Sequence, residues 1–475
     1  MTTTIGKQPI IAPATGATAG EILARADTLR RSLSSNFRDQ LVESVYDDAA
    51  RIARRSVTPA GDGRRDWDQR LDHLITSPIF GLPLMVALLG LVFWITIVGA
   101  NYPSQMLAAL LFTIEEYGVK LFTALGIPWW ITGIWWNGIY RATAWVIAVM
   151  LPPMAIFFPC FTILEDLGYL PRVAFNLDWL FRKAGAHGKQ SLTMAMGFGC
   201  NAAGVIACRV IDSPRERLIA ILTNNFVPCN GRFPLLIMLA TVFVAASFSP
   251  ALTSLTAAGV VVGVVGIGIV FTLLVSALLS RTMLRGEASA FTLELPPYRR
   301  PNIRRILYTS FIDRTIFVLW RAIQTAAPAG AVIWLMANIT VGGASLATHA
   351  STLLNPLGVL IGLDGVILLA YIIAIPANEL VVPTMLMIYM GGAVMSETPG
   401  YSELQPLLVG QYGWTMLTVV NLMLFSLLHN PCATTIITMW RETRSRRWTT
   451  VGALMPLAIA FLVTFLTASV ARLIW

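Results

Sequence analysis

The sequence predicts an all-α polytopic membrane protein made of two inverted-topology repeats, each with a re-entrant hairpin and a helix broken at Pro-Cys. Three observations predict it: composition, the recurrence of long apolar runs, and the placement of basic residues between them. Of 475 residues, 56% are hydrophobic and 12% charged, and the mean hydropathy is +0.68, outside the range of soluble domains. Runs able to cross a hydrocarbon core of roughly 30 Å, about 20 helical residues, recur along the chain, and runs of that length are helices rather than barrel strands. The formal charge of +9 comes from arginines clustered between apolar segments. Such clustering reports topology, so membrane lipid surrounds the chain and no nucleic-acid partner is expected.

Residues 1–35 begin polar and small, without a cleavable apolar signal region, and read as a flexible cytosolic N-terminus. Within 36–78, Phe37, Leu41, Val45, Ala49 and Ile52 recur at helical spacing beneath a charged face, followed by a polar linker. The first repeat, 79–290, opens with a span at about 81–100. The stretch from Asn101 to Trp136, with Glu115, Glu116, Lys120 and several tryptophans, reads as a helix lying at the outer interface. A span then runs from about 135 to Glu165, and a basic loop with Arg172, Arg182, Lys183 and Lys189 marks the cytoplasm. "SLTMAMGFGCNAAGVIACRVI" is flanked at both ends by basic residues and so reads as a hairpin entered and left from inside. An outward span at 215–246, interrupted by "NNFVPCNGRFP", and a return span at 251–284 complete the repeat.

The second repeat, 291–475, has a span at 315–338, an outer segment, a hairpin at 364–390 entered from outside, a span broken at Pro431-Cys432 before the basic "RETRSRR", and a last span at 449–471. Opposite entry sides for matching elements are the pattern of an inverted repeat, whose sites form near the midplane where broken helices meet.

Five cysteines, 160, 200, 208, 229 and 432, are an odd count lying in or beside apolar segments, which argues against a disulfide scaffold. Cys160 and Cys208 read as small buried hydrophobes. Proline inside a membrane helix removes a donor and frees a carbonyl one turn earlier, so Pro228 and Pro431 place free carbonyls next to Cys229 and Cys432. The hairpins bring Cys200 and Asn201 between glycines, and Asn378 and Glu379 between Pro376 and Pro383. A carboxylate there is costly unless it is paired, protonated or bound to an ion; the bland alternative for Glu379 is pairing with Arg232 or a backbone donor. Thiolates with carboxylate and amide oxygens suit a divalent transition ion such as Fe(II), Mn(II), Co(II) or Zn(II). His429 is a further candidate ligand, with a hydrogen-bonded core histidine as its alternative. Glu165 and Asp166 either attract cations at an exit or pair with Arg172 and Arg182. Asn224, Asn225 and Asn230 keep a polar organic solute open as the cargo, and nothing resembles a nucleophile with a base and an orienting group.

Roughly residues 68–475 resemble the membrane part of the ferrous iron transport protein B (FeoB) family. The resemblance rests on "ILEDLGYLPR", "GFGCNAAG", "NNFVPCNGRFP", "LPPYRRPNIRRIL", "AIPANELVVPTM" and "HNPCATTIITMWRETRSRR". It implies two Gate domains, transport of Fe(II) in a bacterial or archaeal cell (inner) membrane, and a cytoplasmic N-terminus. It also implies a path at Cys200, Asn201, Cys229 and Cys432, with Glu379 in the acidic position of the second hairpin and Arg232 and Pro234 matching. Ala202 and Ala203 depart from the family, which places a proline within two residues of Gly-Cys-Asn. The family also carries a small GTPase domain in front. Here no G-x-x-x-x-G-K-[ST] occurs, Gly188-Lys189 being followed by Gln190, and there is no Asn-Lys-x-Asp. The chain is therefore expected to bind no nucleotide and not to be an enzyme, with a G protein or a small Feo-type accessory protein acting in trans, or with transport following the ion gradient. A homo-oligomer stays open. The other readings are a Gate-type transporter of a nucleoside or other small organic solute, and a non-transporting membrane regulatory subunit.

Overall fold

A computed structural model describes residues 19–32, 37–56, 64–77, 80–244, 253–285, 298, 301–395 and 404–474. The basic stretch beyond 285 up to 297 and the flank at 396–403 lie outside the described residues. The N-terminal unit, up to Arg65, holds α1 (Ala19–Ser32) and α2 (Phe37–Ser56). α1 is helical within the stretch expected to be flexible, and α2 matches the amphipathic periodicity. The remaining elements, from Asp66 onward, form a second unit, a polytopic membrane protein whose described residues are almost wholly helical and include five helices long and apolar enough to span, or six counting one bent pair.

This unit begins with α3 (Arg64–Ile75, in the unit from Asp66) and α4 (Gly81–Ala124). α4 corrects one expectation: the residues assigned to a separate interfacial helix continue the first span without a break, through Pro103. Its 44 residues extend about 66 Å, twice the hydrocarbon thickness. The acidic pair that suggested an interface has a different explanation, because Glu115 is buried and bonded to Arg141 at 3.0 Å. α5 (Trp129–Asp166) returns with a π-helical stretch at Gly133–Tyr140, where Gly138 meets Gly330 of a later helix so closely that a Cβ on either would clash with the other's backbone. Small residues permit such helix contacts in membranes.

The expected basic loop after α5 is largely a helix, α6 (Tyr169–Lys183). Arg172 on it is 1% exposed; it donates to both carboxylate oxygens of Asp72, at 2.5 and 3.2 Å, and lies 3.7 Å over the Tyr298 ring. Tyr298 in turn donates to Asp72 at 2.8 Å. Burial pushes the Asp72 carboxyl up, but these hydrogen bonds outweigh it and hold the group below its ordinary value.

Next come α7 (Gln190–Gly199) and α8 (Asn201–Ala207), separated by extended backbone at Cys200 (φ −156°, ψ 125°). The chain returns to its starting point: Lys189 Nζ donates to the Val210 carbonyl at 3.1 Å and to Asp212 at 2.9 Å. Ser213 and Pro214 then start α9 (Pro214–Thr223) as cap and first-turn proline. A break spans 224–232, after which α10 (Phe233–Leu239) and α11 (Thr253–Arg281) follow.

In the second half, α12 (Ile303–Tyr308) and α13 (Phe317–Asn338) lead to a two-residue ladder, β1 (Thr340–Val341) with β2 (Ala344–Ser345), and α14 (Leu346–Leu360). α14 turns by 111° into α15 (Gly365–Ile373), which the Asp364 side chain caps at the Ile367 amide, 2.8 Å. Ala377 repeats the extended geometry of Cys200 (φ −151°, ψ 115°) before Asn378–Leu380 and α16 (Val381–Tyr389). Tyr389 closes this segment by donating its hydroxyl to Asp364. α17 (Met416–Leu428), a break at 429–432, α18 (Ala433–Thr443) and α19 (Arg446–Ile474) end the fold.

Candidate functional site at the helix breaks

Each proline deletes the amide that would bond to the carbonyl four residues earlier. For Pro228 that carbonyl belongs to Asn224, which instead accepts from Val227 N in a tight turn at 3.3 Å. For Pro431 it belongs to Leu427, and Arg232 supplies the missing donor: Nη1 donates to Leu427 O at 2.9 Å. The same guanidinium donates to the carbonyls of Asn225, His429 and Asn430 at 2.9, 3.1 and 3.2 Å, and to Asn225 Oδ1 at 3.1 Å. Arg232 is 1% exposed. Of the two carbonyls expected to stand free for an ion, that of Asn224 is taken by a backbone amide and that of Leu427 by Arg232, which does not pair with Glu379.

The breaks also bond to the hairpins in matching fashion. Asn230 N donates to Gly199 O at 3.3 Å, and Ala433 N donates to Ile375 O at 2.9 Å. In each half, the residue after the Pro-Cys pair is thereby tied to the residues just before the extended turn of its hairpin. Asn224 fills a notch left by two glycines, since a Cβ on Gly204 would lie 2.5 Å from its Nδ2 and one on Gly197 would lie 2.9 Å from its Oδ1. Asn201 is buried with its amide facing the carbonyls of Gly197 and Val227, 3.1 Å each.

These ties bring Cys200, Cys229 and Cys432 within electrostatic reach of one another, with Glu379 in reach of the last two. Cys200 and Cys229 are 8% and 9% exposed, and Cys432 lies 3.3 Å from the Thr435 hydroxyl. Glu379, from the second half, rests against Gly231 of the first, where any Cβ would overlap the carboxylate. Sequence reasoning missed Gly231; the signal was a glycine two residues beyond Cys229 in a break, where one backbone must approach another group closely. Among the described residues, no three His, Cys, Asp or Glu side chains close around one point as a metal cage would require. His429 is buried, with Nδ1 2.8 Å from Ser426 O and its ring between Phe425 and Tyr371, the arrangement of a hydrogen-bonded core histidine.

Two cavities reach toward this centre. One, of 1160 Å³, is walled by Ala203 and Ile206 beyond Cys200 and by Thr438 beyond Cys432, with Glu165, Arg209 and Arg321 also lining it. The other, of 800 Å³, ends on Gly231, Asn378 and Glu379. Glu165 and Asp166 are exposed at the end of α5. Of the arginines considered as their partners, Arg172 bonds to Asp72, and Arg182 bonds to Asp178 at 2.6 Å. Arg209 instead pairs in bidentate fashion with Glu442, 2.9 and 2.6 Å, joining the first hairpin to the end of α18.

Residues 147–243 match the Gate family model, described as nucleoside recognition, and residues 261–313 match the ferrous iron transport protein B C terminus. Over 461 residues the chain is 27% identical to the Fe(2+) transporter FeoB of Staphylococcus aureus (strain MSSA476), covering 94% of this chain and 64% of that protein. The chain is similar to the membrane part of FeoB proteins. A FeoB of Synechocystis sp. is 28% identical over 440 residues, covering 90% of this chain and 68% of its own length. A Porphyromonas gingivalis protein named as a fusion of Fe(2+) transport protein A with FeoB is 25% identical over 443 residues, covering 84% and 51%. The chain thus spans less than two thirds of the S. aureus FeoB. No solved structure matches. The Gate match contains Cys200, Cys229 and Arg232, whereas Glu379 and Cys432 lie beyond both matched FeoB segments.

Proposed function

We propose that the chain carries Fe(II) across the membrane along a path between two inverted repeats, past Cys229, Cys432 and Cys200, with Glu379 beside them. The single observation that carries this reading is that Glu379, from the second half, rests against Gly231, two residues beyond Cys229 of the first, at the end of a cavity. Soft thiols beside a carboxylate suit a divalent transition ion better than magnesium or calcium. With no three ligands closed around one point, an ion would be handed from group to group rather than held. The matched bonds from Asn230 to Gly199 and from Ala433 to Ile375 support the repeat, each hairpin being re-entrant and the N-terminus cytoplasmic. Any G protein is supplied in trans, or transport follows the ion gradient, and the P. gingivalis fusion name supports a small Feo-type accessory partner.

The organic-solute reading loses its main support, because the amide nitrogens of Asn224 and Asn225 are taken by the carbonyls of Asn201 and His429 at 3.1 and 2.6 Å. The test is anaerobic uptake of radiolabelled Fe(II) into liposomes holding the purified chain, without and with a candidate G protein. Wild type is expected to exceed empty liposomes, and Cys229→Ser and Cys432→Ser to lose the excess while keeping the wild-type melting temperature. Folded wild type that carries no Fe(II) under either condition overturns the reading.

A further inference from the structure

The second cavity has a wall that the thiol path does not explain. On α4, Asn101, Ser104, Gln105, Ala108 and Glu116 all face the 800 Å³ cavity that ends on Asn378 and Glu379. Their spacing of three and four residues puts them on one side of a helix. Thr96 on the same helix shares a small void with Pro153, Gly199 and Asn230, so it stands level with the breaks. From there a rise of 1.5 Å per residue places Asn101 about 7 Å, Gln105 about 13 Å and Glu116 about 30 Å along the axis. With the breaks near the midplane, the amides and the hydroxyl lie within about 15 Å of it, at hydrocarbon depth, where such groups are tolerated only against water or protein partners.

Asn378 makes this wall more than a polar stripe. Its side chain is 9% exposed, lines the cavity and forms no hydrogen bond among the described residues, while its backbone carbonyl accepts from Val381 N. A buried amide of that kind costs free energy unless something in the cavity answers it. The charged residues lining the cavity are Glu116 and Glu379, both acidic; the arginine nearest in sequence to this region of α5, Arg141, is bonded to Glu115.

We propose that this cavity is an oxygen-lined vestibule that concentrates hydrated divalent cations, with Glu116 at its mouth and Asn378 and Glu379 at its floor. It rests on the transport reading and deepens it by adding a selection stage before the thiols. Ligands here are carboxylate, amide and hydroxyl oxygens, which favour hydrated cations with no preference for soft metals. Charge therefore sorts ions in the vestibule, and softness sorts them at the cysteines.

The test labels a cysteine placed in the wall of the full-length protein in lipid nanodiscs. Ser104→Cys is treated with a cationic (trimethylammonium-ethyl) or an anionic (sulfonatoethyl) methanethiosulfonate, and the adduct at 104 is read by peptide mass so that native thiols do not interfere. Leu110→Cys, on another face of α4 and 59% exposed, is the lipid-facing control. The expected results are faster labelling of Ser104→Cys by the cationic reagent, on the order of tenfold, a smaller ratio with Glu116→Gln, slowing by Mn(II), and no labelling of Leu110→Cys. A wall thiol that stays unlabelled, reacts equally with both reagents, or is indifferent to millimolar Mn(II) overturns the proposal. Should Ser104→Cys fail to fold, Ala108→Cys on the same wall serves identically. None of these readouts requires transport: a vestibule that Mn(II) protects in a protein carrying no Fe(II) keeps this inference and removes the transport reading, and uptake without protection does the reverse.

Discussion

The Arg232 guanidinium donates to the Leu427 carbonyl oxygen at 2.9 Å, the acceptor that Pro431 leaves without its helical partner. A residue three positions beyond Cys229 thus repairs the helix break that precedes Cys432. The two candidate thiols are held in register by one buried cation, and that bond fixes how the halves meet.

Arg232→Met is expected to destabilise strongly, because the carbonyls of Asn225, Leu427 and Asn430 would lose the side-chain donor they now share and that of His429 would keep only Asn225. The cost is about 3–5 kcal/mol, typical of removing one member of a buried charged network. Arg232→Lys should recover only part of it, since an ammonium lacks the planar fork. Melting temperature in detergent checks both, and an unchanged value for Arg232→Met would contradict the repair role.

Gly231→Ala is expected to leave the fold intact while displacing the Glu379 carboxylate, the far end of a flexible side chain, which a Cβ would otherwise overlap. Fe(II) uptake should fall about tenfold, the equivalent of 1.4 kcal/mol in ion binding, at a nearly constant melting temperature. Gly263→Ala, where a Cβ meets nothing within 4 Å, is the control and should leave uptake unchanged.

Asp72→Asn should loosen the joint between α3 and α6. It removes the charge that answers Arg172 at 2.5 Å and leaves that guanidinium buried. Asp72 is partly open to solvent, so the loss should be about 2 kcal/mol, below the range for a fully buried pair. Thermal unfolding and faster amide exchange in residues 169–183 would register it. Because the native carboxyl sits below its ordinary value, this contribution persists above the unfolded carboxylate range and disappears only as pH falls through the lower native value.

His187 should give a step at higher pH. It lies in the turn before α7, 5% exposed, and its Nδ1 accepts the Lys189 amide proton at 3.0 Å. Burial, opposed by Glu216 and aided by Lys189, lowers its proton affinity below the usual 6.5. The folded state thus binds the proton less readily than the unfolded chain, so this stabilisation is complete above about pH 6.5 and is lost as pH falls through the native value. Melting temperature against pH should fall below that point for wild type. It should stay flatter for His187→Asn, whose side-chain oxygen can still accept the amide.

By itself the sequence determined the helical membrane class and where helices break. Long apolar runs set the first, and Pro228, Pro431, the glycines around Cys200 and the polar Asn378-Glu379 set the second, because a missing amide or an absent Cβ acts on the backbone at its own position. Only the tertiary structure decided where the freed groups went. Arg232 reaches carbonyls 195 to 198 residues away, Glu379 meets Gly231, and Arg172 chooses Asp72 over Glu165. α4 runs on past residue 100 for the same reason: Glu115 looked like an interface mark until packing brought it Arg141. A local break costs free energy wherever the chain folds, so it is legible in the sequence. The partner that offsets the cost depends on which helices pack side by side, and no window of the sequence contains both.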